Sequence, residues 1–266
     1  MENDMEKIHK YPRTQHLVGS KLQNGDEDLS IIPFAHLAGK YMVVAEKIDG
    51  ANSGISFTNG TLMLQNRGHY LTGGHRERHF NLLKNWAATF SSELYKVLGE
   101  RYIMYGEWLY AKHTVFYDKL PHYFFEFDIL DKETGVFFST AKRREILAPL
   151  PFMQSVPVLK EGYLSSFDEL QKCLGKSLYK SENWQQSLLS VCEKEGLNFD
   201  LAMKQTDNSD LAEGLYIKIE DDGRTIDRYK FVRSEFTARI LSSDSHWLER
   251  PIIPNLLERG ELEWTF

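Results

Sequence analysis

The sequence predicts an α+β domain rich in antiparallel strands, and three features carry that prediction. Strand-like apolar runs lie near both ends of the chain. Helix-periodic stretches are inserted between them. Two turn pairs, Asn59-Gly60 and Asp222-Gly223, stand where hairpins would reverse.

The elements follow in order. "KYMVVAEK" reads as a buried strand that ends on Lys47, with Asp49-Gly50 behind it. "GISFTNGTLMLQNRG" reads as a hairpin, because Ile55, Phe57, Leu62 and Leu64 alternate with polar residues around Asn59-Gly60. Leu83, Trp86, Phe90, Leu94 and Val97 recur at steps of three and four, which predicts one amphipathic helix over 77–98, stopped by Gly99. "YIMYGEWL" and "HYFFEFDIL" are two further strands, the second closed by "DKETG". Residues 140–205 read as mostly helical, with Ser166 and Glu169 as a capping box and "ENWQQSLLSVCEKEG" ending on glycine. Strands return in "EGLYIKIE" and "DRYKFVR". A short helix and a proline-containing tail complete the expectation.

Composition sets limits on function. The chain has 266 residues, 42% hydrophobic and 26% charged, as expected of a globular protein. No run reaches the roughly 20 apolar residues a membrane helix needs, and the N-terminus does not resemble a signal peptide. Cys173 and Cys192 are expected to be reduced thiols, so the expected location is the cytoplasm, with no membrane partner. The net charge of −6 argues against binding nucleic acid by general charge attraction. A local cationic patch, or a small anionic partner, is needed instead.

Several chemistry-bearing residues fall on strands or strand ends: Lys47, Asp49, Asn52, Arg67, Glu107, Phe127, Asp128, Glu213, Lys218, Arg228 and Lys230. Cations suit phosphates, carboxylates suit a metal or a ribose, and a ring suits a base. The mixture points to a nucleotide.

These residues carry a resemblance. Lys47-Ile48-Asp49-Gly50 resembles the K-x-D-G nucleophile motif of the covalent nucleotidyltransferases, which include polynucleotide ligases and mRNA capping enzymes. Alone, such a match arises by chance in roughly one chain of this length in twenty. "YGEWL", "FEFDIL", "EGLYIK" and "RYKFVR" resemble the later motifs in the family's order, over about residues 40–235. The resemblance is closest to the RNA ligase 2 and RNA-editing ligase branch. There an asparagine stands five residues after the lysine, as Asn52 does, and an arginine about twenty after it, as Arg67 does.

The resemblance implies a nucleotidyltransferase (ATP-grasp-like ligase) fold with antiparallel sheets and flanking helices. It also implies an ATP-dependent RNA ligase that uses Mg²⁺ or Mn²⁺ and joins 3′-hydroxyl and 5′-phosphate RNA ends. Lys47 would attack the α-phosphate as a neutral amine, a form held by about one lysine in 2,500 at pH 7 when unperturbed. Lys218, Lys230 and a bound metal are the expected sources of a lowered pKa. The two lysines would also stabilise charge on the phosphate. Glu213 and Glu107 suit a metal-bound water or ribose hydroxyls, and Phe127 would stack on the purine. Asn52 and Arg67 are expected on the phosphate and sugar side, and Glu46, Ile48 and Arg228 in the nucleotide pocket. Arg76, Arg78, Arg143, Arg144 and His113 are the candidates for contact with RNA. The nucleotidyltransferase domain is expected over 1–235, with 236–266 a short helix and tail rather than an OB-fold, and with a partner protein that binds or heals RNA ends. The rival readings are DNA sealing, guanylyl transfer, and a module that binds nucleotide or RNA ends without turnover.

Overall fold

The computed structural model describes residues 8–22, 26, 28–236, 250–262 and 264, the side chain of Arg76 excepted. Its strands are β1 (Gln15–Leu17), β2 (Ile31–Ile32), β3 (Tyr41–Lys47), β4 (Ala51–Thr58), β5 (Thr61–Asn66), β6 (Tyr102–Trp108), β7 (Phe124–Asp131), β8 (Val136–Phe137), β9 (Gln154–Ser155), β10 (Val158–Tyr163), β11 (Gly214–Asp221) and β12 (Arg224–Val232). Its helices are α1 (Asn81–Thr89), α2 (Ser91–Leu98), α3 (Thr140–Leu147), α4 (Phe167–Gln171), α5 (Trp184–Glu195) and α6 (Phe199–Lys204). One sheet runs β10-β3-β11-β12-β1-β2 and the other β5-β4-β6-β7-β8, with β9 beside β7. This is the expected α+β architecture. The first sheet is mixed, since β1 lies parallel to both β12 and β2.

Both expected hairpins form. Asn59 and Gly60 have φ of 50° and 72°, and Asp222 and Gly223 have φ of 46° and 74°, the positive pairs that two-residue turns require. Alternation then sorts the side chains. On the first sheet Met42, Val44, Leu215, Ile217, Ile219 and Phe231 face one way, into a core with Leu17, Leu37 and Leu170. On the second, Ile55, Phe57 and Met104 pack against Leu83, Trp86 and Leu94 of α1 and α2. The opposite faces of the two sheets meet where the Phe127 ring lies 6.4 Å from that of Tyr216, beside a cluster of Tyr11, Ile103, Tyr105 and Leu130.

Two expectations are corrected. The helix over 77–98 is a 3₁₀ segment, His75–Phe80, followed by α1 and α2, which share Phe90 as a boundary. Thr89 donates to the Asn85 carbonyl at 3.0 Å, a back-bond that bends helices. Beside it Phe90 stacks on Phe152 at 4.4 Å. The 140–205 region also contains β9 and β10, and β10 pairs antiparallel with β3. As a partly exposed edge strand, β10 lacks the alternation that would have revealed it.

The expected helix beyond residue 236 lies outside the described residues. Residues 250–262 pack back on the loop after β6. The Asn255 side chain accepts from Tyr117 N at 2.9 Å and donates to Leu109 O at 2.6 Å, and Leu257 joins the main core.

Candidate active site

β3 and β4 belong to different sheets, so the chain must cross between them at residues 48–50. Ile48 is buried, and Asp49 acts as a strut: its Oδ2 accepts from Thr114 N at 2.7 Å and Val115 N at 2.8 Å. The Asp49 amide donates to the Tyr117 hydroxyl at 2.8 Å. Gly50 donates to Glu107 Oε1 at 3.1 Å, and a Cβ there would lie 2.5 Å from Leu109 and 2.7 Å from the Trp108 carbonyl. Only glycine fits this crossing. The turn therefore fixes the strand end that carries Lys47.

Lys47 Nζ donates to Glu213 Oε1 at 2.6 Å, and the lysine side chain stays 25% exposed, within reach of a ligand. Glu213 directly precedes Gly214, the residue that pairs with Lys47 across β11. Burial pushes the Glu213 and Glu107 carboxyls up to about 7, against the pull of Lys47. Burial also favours neutral Lys47, but Glu213, Glu107 and Asp49 outweigh it and hold the ammonium above its ordinary pKa. This corrects the expectation of a lysine depressed by its neighbours. Lys47 is thus held as the ammonium partner of Glu213.

Two buried acceptors have no hydrogen-bond partner among the described residues, Glu213 Oε2 beside Lys47 and Asn52 Oδ1 on β4. Asn52 and Glu107 face each other across β4 and β6. Such orphaned atoms ask for a ligand. No group of three or more His, Cys, Asp or Glu is arranged to hold a metal among the described residues. A cation held by Glu213 and Glu107 would have to complete its shell with water and substrate oxygens. Arg67 is exposed, and its charge acts on Glu107.

The remaining expected residues divide into two groups. Lys230 belongs with Lys47: burial first, and then the Lys47 charge, lower its pKa, and its Nζ meets Asp26 at 2.6 Å. Lys218 and Arg228 belong elsewhere. Both bond the wholly buried Asp128, at 2.8 and 2.9 Å, and Lys218 also donates to the Phe127 carbonyl. Burial opposes ionisation of Asp128, but Lys218, Arg228 and Arg143 draw it down to about 2. Lys218 is lowered to about 8, chiefly by burial and then by Arg143. The direct phosphate role expected of Lys218 is therefore corrected, since its ammonium is already engaged beneath Phe127.

Tyr11 was not singled out from the sequence. Its hydroxyl donates to Asp128 at 2.6 Å and meets the Tyr216 hydroxyl at 2.6 Å, while its ring packs edge-on against Phe127 at 5.0 Å. Tyr216 could have been found, because residues 214, 216 and 218 of β11 alternate onto the Lys47 face. Tyr11 could not, since it lies in an irregular segment without periodicity.

Other expected residues are placed differently. Glu46 alternates to the far face, where it accepts from Ser177 Oγ at 2.6 Å and Leu178 N at 3.1 Å, so its side chain points away from Lys47. Arg143 is 3% exposed and bonds both oxygens of Glu126 at 2.5 and 2.6 Å. That corrects its assignment to RNA, because a buried, paired guanidinium cannot meet a strand. Arg144 is exposed beside Glu161 at 2.8 Å. Arg78 donates to the Arg250 carbonyl at 3.3 Å, and the side chain of Arg76 lies outside the described residues. His113 is buried, with Nδ1 3.9 Å from Asp49. It therefore belongs to the surroundings of the Asp49 turn rather than to an exposed RNA surface.

The comparisons with known proteins agree with this fold. The RNA ligase family profile matches residues 40–232. The RNA ligase of Naegleria gruberi, solved with pyrophosphate, is 18% identical over 77% of this chain and 52% of that one, with a TM-score of 0.54. A mutant of that ligase, solved with ATP and manganese, is 14% identical over 79% and 54%, with a TM-score of 0.53. At such identities the likeness is one of fold, and the chain spans about half the length of those structures. No curated protein sequence matches the chain.

Proposed function

Because the chain belongs to the RNA ligase family, we propose that it joins RNA ends at the expense of ATP, through AMP carried covalently on Lys47. The observation that carries this reading is the end of β3. A partly exposed lysine there is fixed by a strut-and-glycine turn and paired with Glu213, whose other oxygen has no partner among the described residues.

In the first step the Lys47 Nζ–phosphorus bond forms while the bond from the α-phosphorus to pyrophosphate breaks. Pyrophosphate leaves with the electron pair, and the lysine loses a proton. In the second, an oxygen of the RNA 5′-phosphate displaces Lys47 from AMP. In the third, the 3′-hydroxyl oxygen attacks that 5′-phosphorus, AMP departs and the hydroxyl proton is lost. Phosphoryl transfer of this kind gains mainly from positioning and charge.

Each residue then has a role. Asp49 and Gly50 hold Lys47 in place, and Lys230 supplies positive charge beside it. Asn52 and Arg67 serve the sugar and phosphates, and Ile48 lines the pocket. Phe127 offers its ring to the purine, with Tyr11, Tyr216, Lys218, Arg228 and Asp128 forming the wall behind it. Glu213 and Glu107 fit a divalent cation, Mg²⁺ or Mn²⁺, which would supply positive charge against the triphosphate. While ionised, both acids hold the Lys47 proton, so neutralising them favours the reactive amine. We assign the catalytic unit to residues 1–235, with 250–262 as its brace. Arg78 and Arg144 remain the candidates for RNA contact, and an end-healing or RNA-binding protein is a fitting partner. ATP supply and two free cysteines fit the cytoplasm.

The test is a panel of nicked duplexes with RNA or DNA on each side of the nick, supplied with ATP or GTP. The proposal expects sealing of RNA with a 5′-phosphate, driven by ATP. Sealing of DNA alone, or nucleotide transfer from GTP alone, would replace it with one of the rival chemistries.

A further inference from the structure

One carboxylate on the Lys47 side of the first sheet is held by a lysine, an arginine and a histidine. Asp26 Oδ2 meets Lys230 Nζ at 2.6 Å and His16 Nε2 at 3.0 Å, and its Oδ1 meets Arg13 Nη2 at 3.3 Å. His16 is wholly buried, and its Nδ1 lies 2.6 Å from Ser20 Oγ, which in turn accepts from Val232 N at 2.9 Å. The ring is thereby anchored to β12 and aimed at the carboxylate. Burial opposes ionisation of Asp26, but its bonds to His16, Lys230 and Arg13 hold it well below the usual carboxylate range. In a protein with a net charge of −6, this is a built anion site. Its occupant is the chain's own side chain.

The register shows what the site faces. His16, Lys230, Tyr216 and Ala45 form one row across β1, β12, β11 and β3. The next row toward the turn holds Val232, Gly214 and Lys47. Lys47 and Lys230 are thus two strands and two residues apart, about 12 Å between Cα atoms by ordinary sheet spacings. Gly214 carries no side chain to separate them, and it could carry none, because a Cβ there would lie 2.0 Å from the Phe231 carbonyl oxygen. No side chain of Gly214 stands between Lys47 and Lys230.

We propose that Arg13, His16 and Lys230 bind the β- and γ-phosphates of the nucleoside triphosphate, and then the departing pyrophosphate, with Asp26 standing in for those phosphates until they arrive. The assignment rests on the reading of Lys47 as the adenylylated residue, and it extends that reading to where the leaving group goes. Exchanging one anion for another keeps Lys230 paired throughout. It also makes triphosphate binding compete with an internal carboxylate.

The probe is inorganic pyrophosphate, whose binding needs no reaction at Lys47. Titrated calorimetrically into the full chain, it is expected to bind Asp26→Asn at least about tenfold more tightly than wild type, and to raise the melting temperature of that variant more. Arg13→Gln changes a largely exposed side chain and should weaken binding several-fold, which keeps the proposal testable if Asp26→Asn folds poorly. A nonhydrolysable ATP analogue should displace pyrophosphate from wild type, and a 5′-phosphorylated oligoribonucleotide should not. Equal or weaker binding to Asp26→Asn, unchanged binding to Arg13→Gln, or displacement by the RNA alone would each overturn the assignment. Lysyl–AMP formation, measured separately, decides the reading of Lys47 whichever way pyrophosphate binds.

Discussion

Replacing Glu213 with glutamine should stabilise the unliganded protein above pH 7 while removing its reaction with ATP. The carboxyl is 2% exposed, has one oxygen on Lys47 and the other without a partner among the described residues, and is pushed from 4.5 up to about 7 by burial. An acid with a raised folded pKa holds its proton more tightly folded than unfolded. Wild-type stability therefore falls as the pH climbs from 4.5 through about 7. At about 1.4 kcal/mol per pKa unit, the ionised carboxylate costs about 3 kcal/mol once the pH is above that window. Glutamine keeps the shape and removes the titration. Urea unfolding at pH 4, 7 and 9 should show the variant near wild type at pH 4 and more stable by about 3 kcal/mol at pH 9. Transfer of AMP to the protein should fall by roughly 100-fold or more. A variant that is less stable than wild type at pH 9 would refute the reasoning. It would mean that the pair with Lys47 more than offsets the desolvation.

Three further outcomes follow from packing and burial. Gly214→Ala sets a Cβ 2.0 Å from a backbone oxygen of β12, so the strands must separate, and thermal melting should show a loss of more than about 2 kcal/mol; an unchanged melting temperature would contradict the β11–β12 register. Arg143→Ala leaves Glu126 buried and unpaired and should cost about 3–5 kcal/mol in denaturant unfolding. The RNA affinity of the folded fraction should not change, and a selective loss of RNA binding would restore Arg143 as a contact. Lys112 is buried, donates to the carbonyls of His113 and Gln205, and is pulled down to about 7, first by burial and then by Arg250. Its charge destabilises the fold below that pH, and wild-type stability rises from there toward 10.5. Lys112→Met should therefore stabilise more at pH 6 than at pH 9, and an equal effect at both would remove the buried charge as the cause.

The sequence made the central strands legible because their two faces have different neighbours. Val44, Ile217 and Phe231 meet a core, while Lys47, Lys218 and Lys230 lie on the opposite face. Alternation exposes such strands, and the motif residues lie on them. Arg143 was misread although a signal existed, since Thr140, Arg143 and Leu147 share one buried helical face. The N-terminal contribution had no comparable signal. β1 is three residues long and takes its place by pairing with β12 at the other end of the chain. The roles of His16 and Asp26 exist only once that pairing is made. The elevated Lys47 pKa was equally hidden, because it depends on two carboxylates brought in from β6 and from the residue before β11. A lysine's neighbours in sequence say little about its neighbours in charge.

The most direct test of the central claim is to incubate the protein with Mg²⁺ and ATP labelled at the α-phosphate, beside Lys47→Ala, and to denature both before reading the label. Intact mass of the untreated protein shows whether AMP is already attached. Label, or pre-attached AMP, on wild type and none on the variant is the predicted result. Label on Lys47→Ala, or neither label nor pre-attached AMP on wild type, would contradict the assignment of Lys47 as the residue that carries AMP.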